Sequence, residues 1–172
     1  MRDDRAERTG PNWVLTEAGC LRVWRLVDPG RAPGLDDRES CLAGGRWSSE
    51  GVAAVYATSS LPLAVLESWV HVGEEEGDPG RLPPRVAVCL ELPPDAEIED
   101  VEDVSPFDAA RARAAGDDWS RSRRSLALRV PSAVVPAESN VILNPDHPQY
   151  ARLRVVSQED CPFDPRLARG QG

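Results

Sequence analysis

The sequence of 172 residues contains no lysine, so all 20 of its basic residues are arginines. Arginine offers phosphate and carboxylate groups a planar fork of N–H donors that lysine lacks. Acidic residues outnumber the arginines and give a formal net charge of -9. Because a nucleic-acid backbone requires a basic binding surface, this charge argues against nucleic acid as a direct partner.

The four cysteines lack the spacing of a metal site or a disulfide framework. They stand far apart, form no CxxC pair and have no flanking histidine: Cys20, Cys41, Cys89 and Cys161. We therefore expect reduced, structural cysteines in a cytoplasmic protein and no bound metal.

Other signatures are missing as well. No apolar run is long enough to cross a membrane, and the first ten residues, MRDDRAERTG, have no apolar centre of the kind found in signal peptides. There is no P-loop, no GxGxxG fingerprint and no GxSxG nucleophile elbow. These absences predict a cytoplasmic protein with no membrane partner and no resident cofactor.

The remaining pattern predicts one α+β domain, since about six short strands and two or three helices follow one another without regular βαβ alternation. We expect a small mixed, mostly antiparallel sheet flanked by short helices. Residues 1–11 are predicted to be disordered, 12–167 to form the domain and 168–172 to be a flexible tail. Strands are predicted at residues 21–27, 52–57, 85–92, 125–130, 140–144 and 152–157.

Two helical regions are predicted. The first carries Glu67 and is capped by Ser59 or Ser60, with Pro62 tolerated in its first turn. The second covers residues 105–115, with Ser105 as cap and Gly116 as stop, and residues 117–124 form a further helical turn. The segments between these elements, 28–43, 73–84 and 93–104, are predicted to be loops.

The stretch from Gly44 to His71 carries the main functional signal. Its double glycine permits a sharp turn that presents Arg46, and the helix that follows is apolar nearly all round and therefore expected to be buried. Glu67 interrupts that apolar surface. Since an isolated buried carboxylate is costly, Glu67 either pairs with His71 one turn away or has a chemical role.

Several motifs occur in an order that resembles the RES domain family, from about residue 21 to 167. They are VWRL with Arg25, GGRW with Arg46, VYATSSLPLAVLESWVH with Tyr56 and Glu67, SLALRVPSAVVP with Ser125, and NVILNPDHPQY leading to FDPRL. The resemblance implies a fold similar to that of ADP-ribosyltransferases. It also implies a toxin of a bacterial toxin–antitoxin pair that consumes NAD+, with an Xre-type helix-turn-helix antitoxin that covers the active site.

The residue set suits this chemistry. Cleavage of the nicotinamide–ribose bond passes through an oxocarbenium-like transition state that a carboxylate such as Glu67 can stabilise. With the resemblance, we predict Glu67, Arg46 and Ser125 as catalytic residues and Arg25 and Tyr56 as substrate-binding residues. The arginines would hold the pyrophosphate, Tyr56 would stack on nicotinamide, and Ser125 would orient Glu67 or a ribose hydroxyl.

Each residue also has a structural interpretation. Arg25 could be a surface residue at a sheet edge, Arg46 a partner in an ion pair, and Tyr56 a core aromatic. The two histidines, His71 and His147, are interpreted as structural, the first in the core and the second in a turn. The sequence leaves open whether water, inorganic phosphate or a protein side chain accepts the ADP-ribosyl group, and whether the chain is a silent module that only binds the antitoxin.

Overall fold

The polypeptide folds around one mixed sheet. The computed structural model describes residues 14–16, 19–35, 41–75, 83–101, 103–164 and 167. Within them the strands follow the order β5-β6-β7-β3-β2-β4-β8, and β1 pairs with β2. Only β5 and β6 run parallel, so the predicted α+β architecture is confirmed. The strands are β1 Val14–Leu15, β2 Leu21–Val27, β3 Val55–Thr58, β4 Arg85–Glu91, β5 Ile98–Asp100, β6 Ala127–Pro131, β7 Ser139–Leu143 and β8 Arg154–Cys161.

Two α-helices lie wholly within the described residues, α1 Leu61–Glu75 and α2 Ala109–Ser122. Ser60 caps α1, since its Oγ accepts a hydrogen bond of 3.2 Å from the backbone N–H of Leu63. Helix α1 continues to Glu75, so the first three residues of the predicted loop 73–84 are helical. Residues 76–82 of that loop, the predicted disordered segment 1–11 and the predicted tail 168–172 all lie outside the described residues.

Helix α1 is less buried than its apolar sequence predicted. Leu63 and Ala64 are buried, whereas Glu67 and Trp69 are half-buried and His71 is exposed. The expectation of a helix enclosed on all sides is wrong, because among residues 61–71 of the helix only Leu63 and Ala64 are buried.

Helix α2 contradicts the prediction of a helix that stops at Gly116. The helix continues through Gly116 and absorbs the predicted helical turn at 117–124. Its cap is Asp108, whose carboxylate accepts from the N–H of Arg111 at 3.1 Å. A Cβ on Gly116 would lie 1.8 Å from the carbonyl oxygen of Trp47. The glycine is thus required by close packing between α2 and the 44–49 segment.

The core forms two clusters on opposite faces of the sheet, because successive strand residues point to opposite sides. One face buries the aliphatic residues of β2, β3, β4 and β7, including Val23, Val88 and Leu143. The other buries Trp47 together with Ala112 and Trp119 of α2. Tyr56, Thr58 and Asn140 of the functional cleft lie on this second face, whereas Arg25 lies on the first face with Val23 and Val27.

Candidate active site

The cleft opens where β2 and β3 part. The ladder between these strands contains a single pair, Trp24 with Thr58. Beyond that pair, the end of β2 and the start of β3 separate. The space between them and helix α1 is a cleft of about 480 Å³. Such a volume suits a small-molecule ligand.

Glu67 reaches this cleft from α1. Its Oε1 accepts hydrogen bonds from Ser132 Oγ at 2.8 Å and from Asn140 Nδ2 at 2.7 Å. Within the described part of the chain no donor bonds Oε2. Both donors are neutral, so they orient the carboxylate without cancelling its charge, and Oε2 remains available to a ligand.

The hydrogen of the Ser132 hydroxyl is directed to Glu67 by the other bonds that this oxygen makes. Ser132 follows β6, and its Oγ accepts from the backbone N–H groups of Val134 and Val135 at 3.1 Å and 2.9 Å. A hydroxyl has one hydrogen to donate, and here Glu67 receives it. Asn140 reaches the same carboxylate from β7, where it pairs with Thr58 of β3.

The prediction that Ser125 orients Glu67 requires correction. Ser125 is buried, and its Oγ accepts from Trp119 Nε1 at 2.7 Å and donates to the Ala127 carbonyl at 3.2 Å. It does not line the cleft. Ser125 lies before β6 and Ser132 follows it, so the two serines occupy opposite ends of one strand. The orienting serine is Ser132.

Arg46 lies on a tight turn, residues 44–49, which we call the arginine turn. Gly44 adopts a φ of +81°, a conformation that favours glycine. A Cβ on Gly45 would lie 2.7 Å from the hydroxyl oxygen of Tyr56. Arg46 itself is exposed at the cleft, where its Nη1 donates to the carbonyl of Pro106 at 2.8 Å. The prediction that the double glycine presents Arg46 to a cleft agrees with this geometry.

Tyr56 supports the arginine turn as well as lining the cleft. Its Oη accepts from the N–H of Trp47 at 3.0 Å and shares a hydrogen bond of 2.9 Å with Ser48 Oγ. Burial raises the pKa of the Tyr56 phenol above its usual range. The phenol therefore stays neutral at physiological pH and holds the turn as a hydrogen-bonding group. Asp117 of α2 adds a bond of 2.8 Å to the N–H of Ser49.

Arg25 lies on β2 and lines the opposite side of the cleft. It is half-buried, and its Nη1 donates to the Gly34 carbonyl at 3.0 Å. Two further arginines that the sequence analysis did not single out, Arg31 and Arg85, also line the cleft. Arg85 pairs with Asp28. Their signal in the sequence was weak, since both lie in or beside segments predicted as loops.

The charge of the cleft is opposite to that of the whole chain. Among the described residues, four arginines line it, Arg25, Arg31, Arg46 and Arg85, against the two carboxylates of Asp28 and Glu67. Four positive minus two negative charges leave an excess of two positive charges in a chain of net charge -9. A cleft of this kind attracts anionic ligands.

The two histidines have different surroundings. His71 is exposed and lines the cleft, so its interpretation as a core residue is wrong. His147 is buried in the turn before a 3-10 helix, Pro148–Arg152, where its Nδ1 accepts from the N–H of Gln149 at 3.2 Å. Its Nε2 lies 3.1 Å from Glu97. These contacts agree with a structural role for His147.

Fold and cleft together define a class of protein: an α+β domain whose arginine-lined cleft contains an oriented carboxylate. The chain belongs to the RES domain family, whose model matches residues 22–164. Within the described residues, no helix is long and apolar enough to cross a membrane.

Relatives of known name are similar over most of this chain. A protein of Sphingobium sp. named "Prs ADP-ribosylating toxin" is 35% identical over 160 residues, which cover 85% of this chain and 96% of the relative. "Toxin Res" of Photorhabdus laumondii is 34% identical over 76% of this chain and 85% of the relative. "Toxin Res" of Yersinia enterocolitica is 36% identical over 72% of this chain and 84% of the relative.

A solved structure shares the fold. A chain of the M. tuberculosis MbcT–MbcA toxin–antitoxin complex matches with a TM-score of 0.64, and the match covers 87% of each chain. The sequence identity is 15%, so this likeness concerns the fold alone.

Proposed function

We propose that this chain is the toxin of a bacterial toxin–antitoxin pair and that it cleaves the nicotinamide–ribose bond of NAD+. The observation that carries the proposal is the carboxylate of Glu67, which Ser132 and Asn140 orient through one oxygen in a cleft with excess positive charge. The relatives named as toxins support the first half of the proposal.

The cleft offers NAD+ a partner for each of its charged parts. The guanidinium groups of Arg25 and Arg46 would bind the pyrophosphate, because their planar forks of N–H donors match its oxygen atoms. The nicotinamide ribose would then lie at Glu67. As the bond to nicotinamide breaks, positive charge develops on the ribose, and Glu67 Oε2 can stabilise it or accept a hydrogen bond from a ribose hydroxyl.

Tyr56 would contribute in two ways. Its ring lines the cleft and can stack on the nicotinamide, while its hydroxyl holds the turn that carries Arg46 through the bond from Trp47. The same residue would therefore bind the nicotinamide and position the turn of Arg46.

The acceptor of the ADP-ribosyl group is the second part of the proposal. Water or inorganic phosphate would give an NAD+ glycohydrolase or phosphorylase, and phosphate would be attracted by the positive cleft. A protein side chain would give a transferase. The relative named "Prs ADP-ribosylating toxin", which this chain covers almost completely, favours the transferase as second candidate.

An antitoxin is the partner that we propose. It would be an Xre-type helix-turn-helix protein that covers the cleft between Arg46 and Glu67, since a carboxylate of the antitoxin would be attracted to the arginines there. The fold that this chain shares with a chain of a toxin–antitoxin complex supports such a partner. The chain would encounter both NAD+ and the antitoxin in the cytoplasm.

The test is to incubate the purified chain with NAD+, with and without inorganic phosphate, and to identify the products by mass spectrometry. Nicotinamide with ADP-ribose indicates hydrolysis, and a phosphorylated ADP-ribose that forms only with phosphate indicates phosphorolysis. Consumption that requires an added cell extract and labels a protein indicates transfer. Unchanged NAD+ under all three conditions would contradict the proposal and favour a silent antitoxin-binding module.

A complex co-purified with its antitoxin tests the occlusion separately. We expect the complex to consume NAD+ far more slowly than the free chain. Equal rates would show that the antitoxin does not cover the cleft.

A further inference from the structure

Phe107 is an exposed aromatic side chain that the fold does not explain. It is 74% exposed, whereas the other exposed large hydrophobic residues of the described part of the chain, Val155, Val156 and Leu167, lie between 37% and 40%. Phe107 belongs to neither core cluster of the described residues. A phenyl ring held in water gives up the free energy of burial and remains able to bind a ligand by stacking.

The backbone that carries this ring is held in place. Phe107 donates its N–H to Ser105 Oγ at 3.2 Å, and Asp108 donates its N–H to the Ser105 carbonyl at 3.1 Å. The Asp108 carboxylate in turn caps α2 by accepting from Arg111. The ring therefore projects from a hydrogen-bonded turn, residues 105–108, which is continuous with a helix.

This turn adjoins the functional cleft through Arg46. The carbonyl of Pro106 accepts the hydrogen bond of 2.8 Å from Arg46 Nη1, and Pro106 itself is buried. One residue after Pro106 comes the exposed ring. Arg46 therefore lies between the cleft, which Glu67 also lines, and the 105–108 turn.

The parts of NAD+ follow a matching order. The nicotinamide ribose comes first, the pyrophosphate second and the adenosine third. If the first lies at Glu67 and the second at Arg46, the adenosine leaves the cleft where the 105–108 turn stands. Aromatic side chains bind nucleobases by stacking against their faces.

We infer that Phe107 is the platform on which the adenine of the dinucleotide stacks. The inference rests on the proposed function and names a binding residue that the sequence analysis did not select. Phe107 contributes to recognition of the adenosine half and does not contact the bond that breaks.

The test compares two substrates that differ in the adenosine. NAD+ carries it, and nicotinamide mononucleotide has the same nicotinamide–ribose bond without it. Phe107→Ala should lower kcat/KM for NAD+ about tenfold and leave kcat/KM for the mononucleotide within about twofold of wild type. Phe107→Trp, which restores a stacking surface, should recover the wild-type value for NAD+.

Val155→Ala is the matched control, because Val155 is an exposed hydrophobic residue on β8, and no β8 residue lines the cleft. It should leave both substrates unaffected. Wild-type kinetics for NAD+ in Phe107→Ala would overturn the inference, and so would an equal loss on both substrates. Weaker binding of the antitoxin with unchanged kinetics would assign the ring to the partner and overturn it too.

Binding of ADP-ribose, measured by calorimetry, separates this inference from the proposed reaction. A wild-type chain that consumes no NAD+ contradicts the reaction alone. ADP-ribose binding that is about tenfold weaker in Phe107→Ala than in wild type supports the platform without any turnover. Equal binding by the two proteins, or no binding by either, would overturn it.

Discussion

Removal of the Asn140 side chain tests how the reactive carboxylate is held. Asn140 Nδ2 donates to Glu67 Oε1 at 2.7 Å, and Asn140 Oδ1 is buried without a hydrogen-bond partner among the described residues. Asn140→Ala therefore deletes one hydrogen bond and leaves no new buried group unsatisfied except one bonding position on Glu67. Ser132 still bonds the same oxygen.

The magnitude follows from the strength of a hydrogen bond to a charged group, about 1.5–3 kcal/mol. If that free energy is lost in the transition state, the rate falls about 10- to 150-fold, since each 1.36 kcal/mol corresponds to a factor of ten. Glu67 is half-buried, so water replaces part of the lost bond. We therefore expect a fall of kcat/KM for NAD+ near the lower limit, about tenfold.

The assay is steady-state consumption of NAD+ by purified Asn140→Ala. Ser139→Ala is the control, because Ser139 is its neighbour on β7 and its side chain points to the other face of the sheet. Thermal unfolding of both variants shows whether the fold is kept. A kcat/KM for Asn140→Ala within about twofold of wild type, in a folded protein, would refute the idea that this bond holds Glu67 in its reactive position.

Three further predictions concern the supports of the cleft. Gly116→Ala should lower the free energy of unfolding by about 3 kcal/mol, because the new Cβ would lie 1.8 Å from the Trp47 carbonyl oxygen. Denaturant titration measures this free energy, and an unchanged midpoint would contradict the close packing at Gly116. Ser125→Ala should lower the free energy of unfolding by about 1–3 kcal/mol, because the buried Trp119 N–H loses its hydrogen-bond acceptor. The kcat/KM for NAD+ should stay unchanged. Lost activity in a stable variant would show that Ser125 has a role in the active site. Burial raises the Tyr56 pKa, so the unfolded phenol ionises first as pH rises through about 10 and the folded state loses stability above that pH. Tyr56→Phe should reduce this loss, which stability measurements on both sides of that pH would detect, and an identical pH profile would contradict the raised pKa.

The sheet was predictable because its strands are buried and apolar. Strand β2 has the predicted bounds, Leu21–Val27, and α1 begins where Ser60 and Pro62 indicated. Strand β5 was missed, since its sequence, IED, is short and polar. Residues of this kind join a sheet only because a neighbouring strand is already present.

The errors arose where tertiary contacts override local signals. Gly116 reads as a helix stop, but the fold uses it for close contact with Trp47, and nothing near it in the sequence indicates this. The partners of Glu67 were equally hidden: Ser132 lies 65 residues away and Asn140 lies 73 residues away. Which end of β6 meets α1 depends on the position and direction of that strand in the sheet, so Ser125 and Ser132 could not be distinguished locally.

The candidate residues in the first half of the chain were easier to predict. Arg46 and Glu67 stood out because a double glycine precedes one and an apolar helix surrounds the other. Both lie at the cleft together with Arg25 and Tyr56. Their joint presence there agrees with the motif order on which the prediction depended.

The most direct test of the central claim is the rate of NAD+ consumption by Glu67→Gln. Glutamine keeps the shape of the side chain and can still meet Ser132, but it removes the negative charge that a developing oxocarbenium ion requires. We expect a folded variant whose NAD+ consumption, followed by release of nicotinamide, falls below about a hundredth of the wild-type rate. A Glu67→Gln protein that releases nicotinamide at the wild-type rate would contradict the assignment of Glu67 as the catalytic carboxylate.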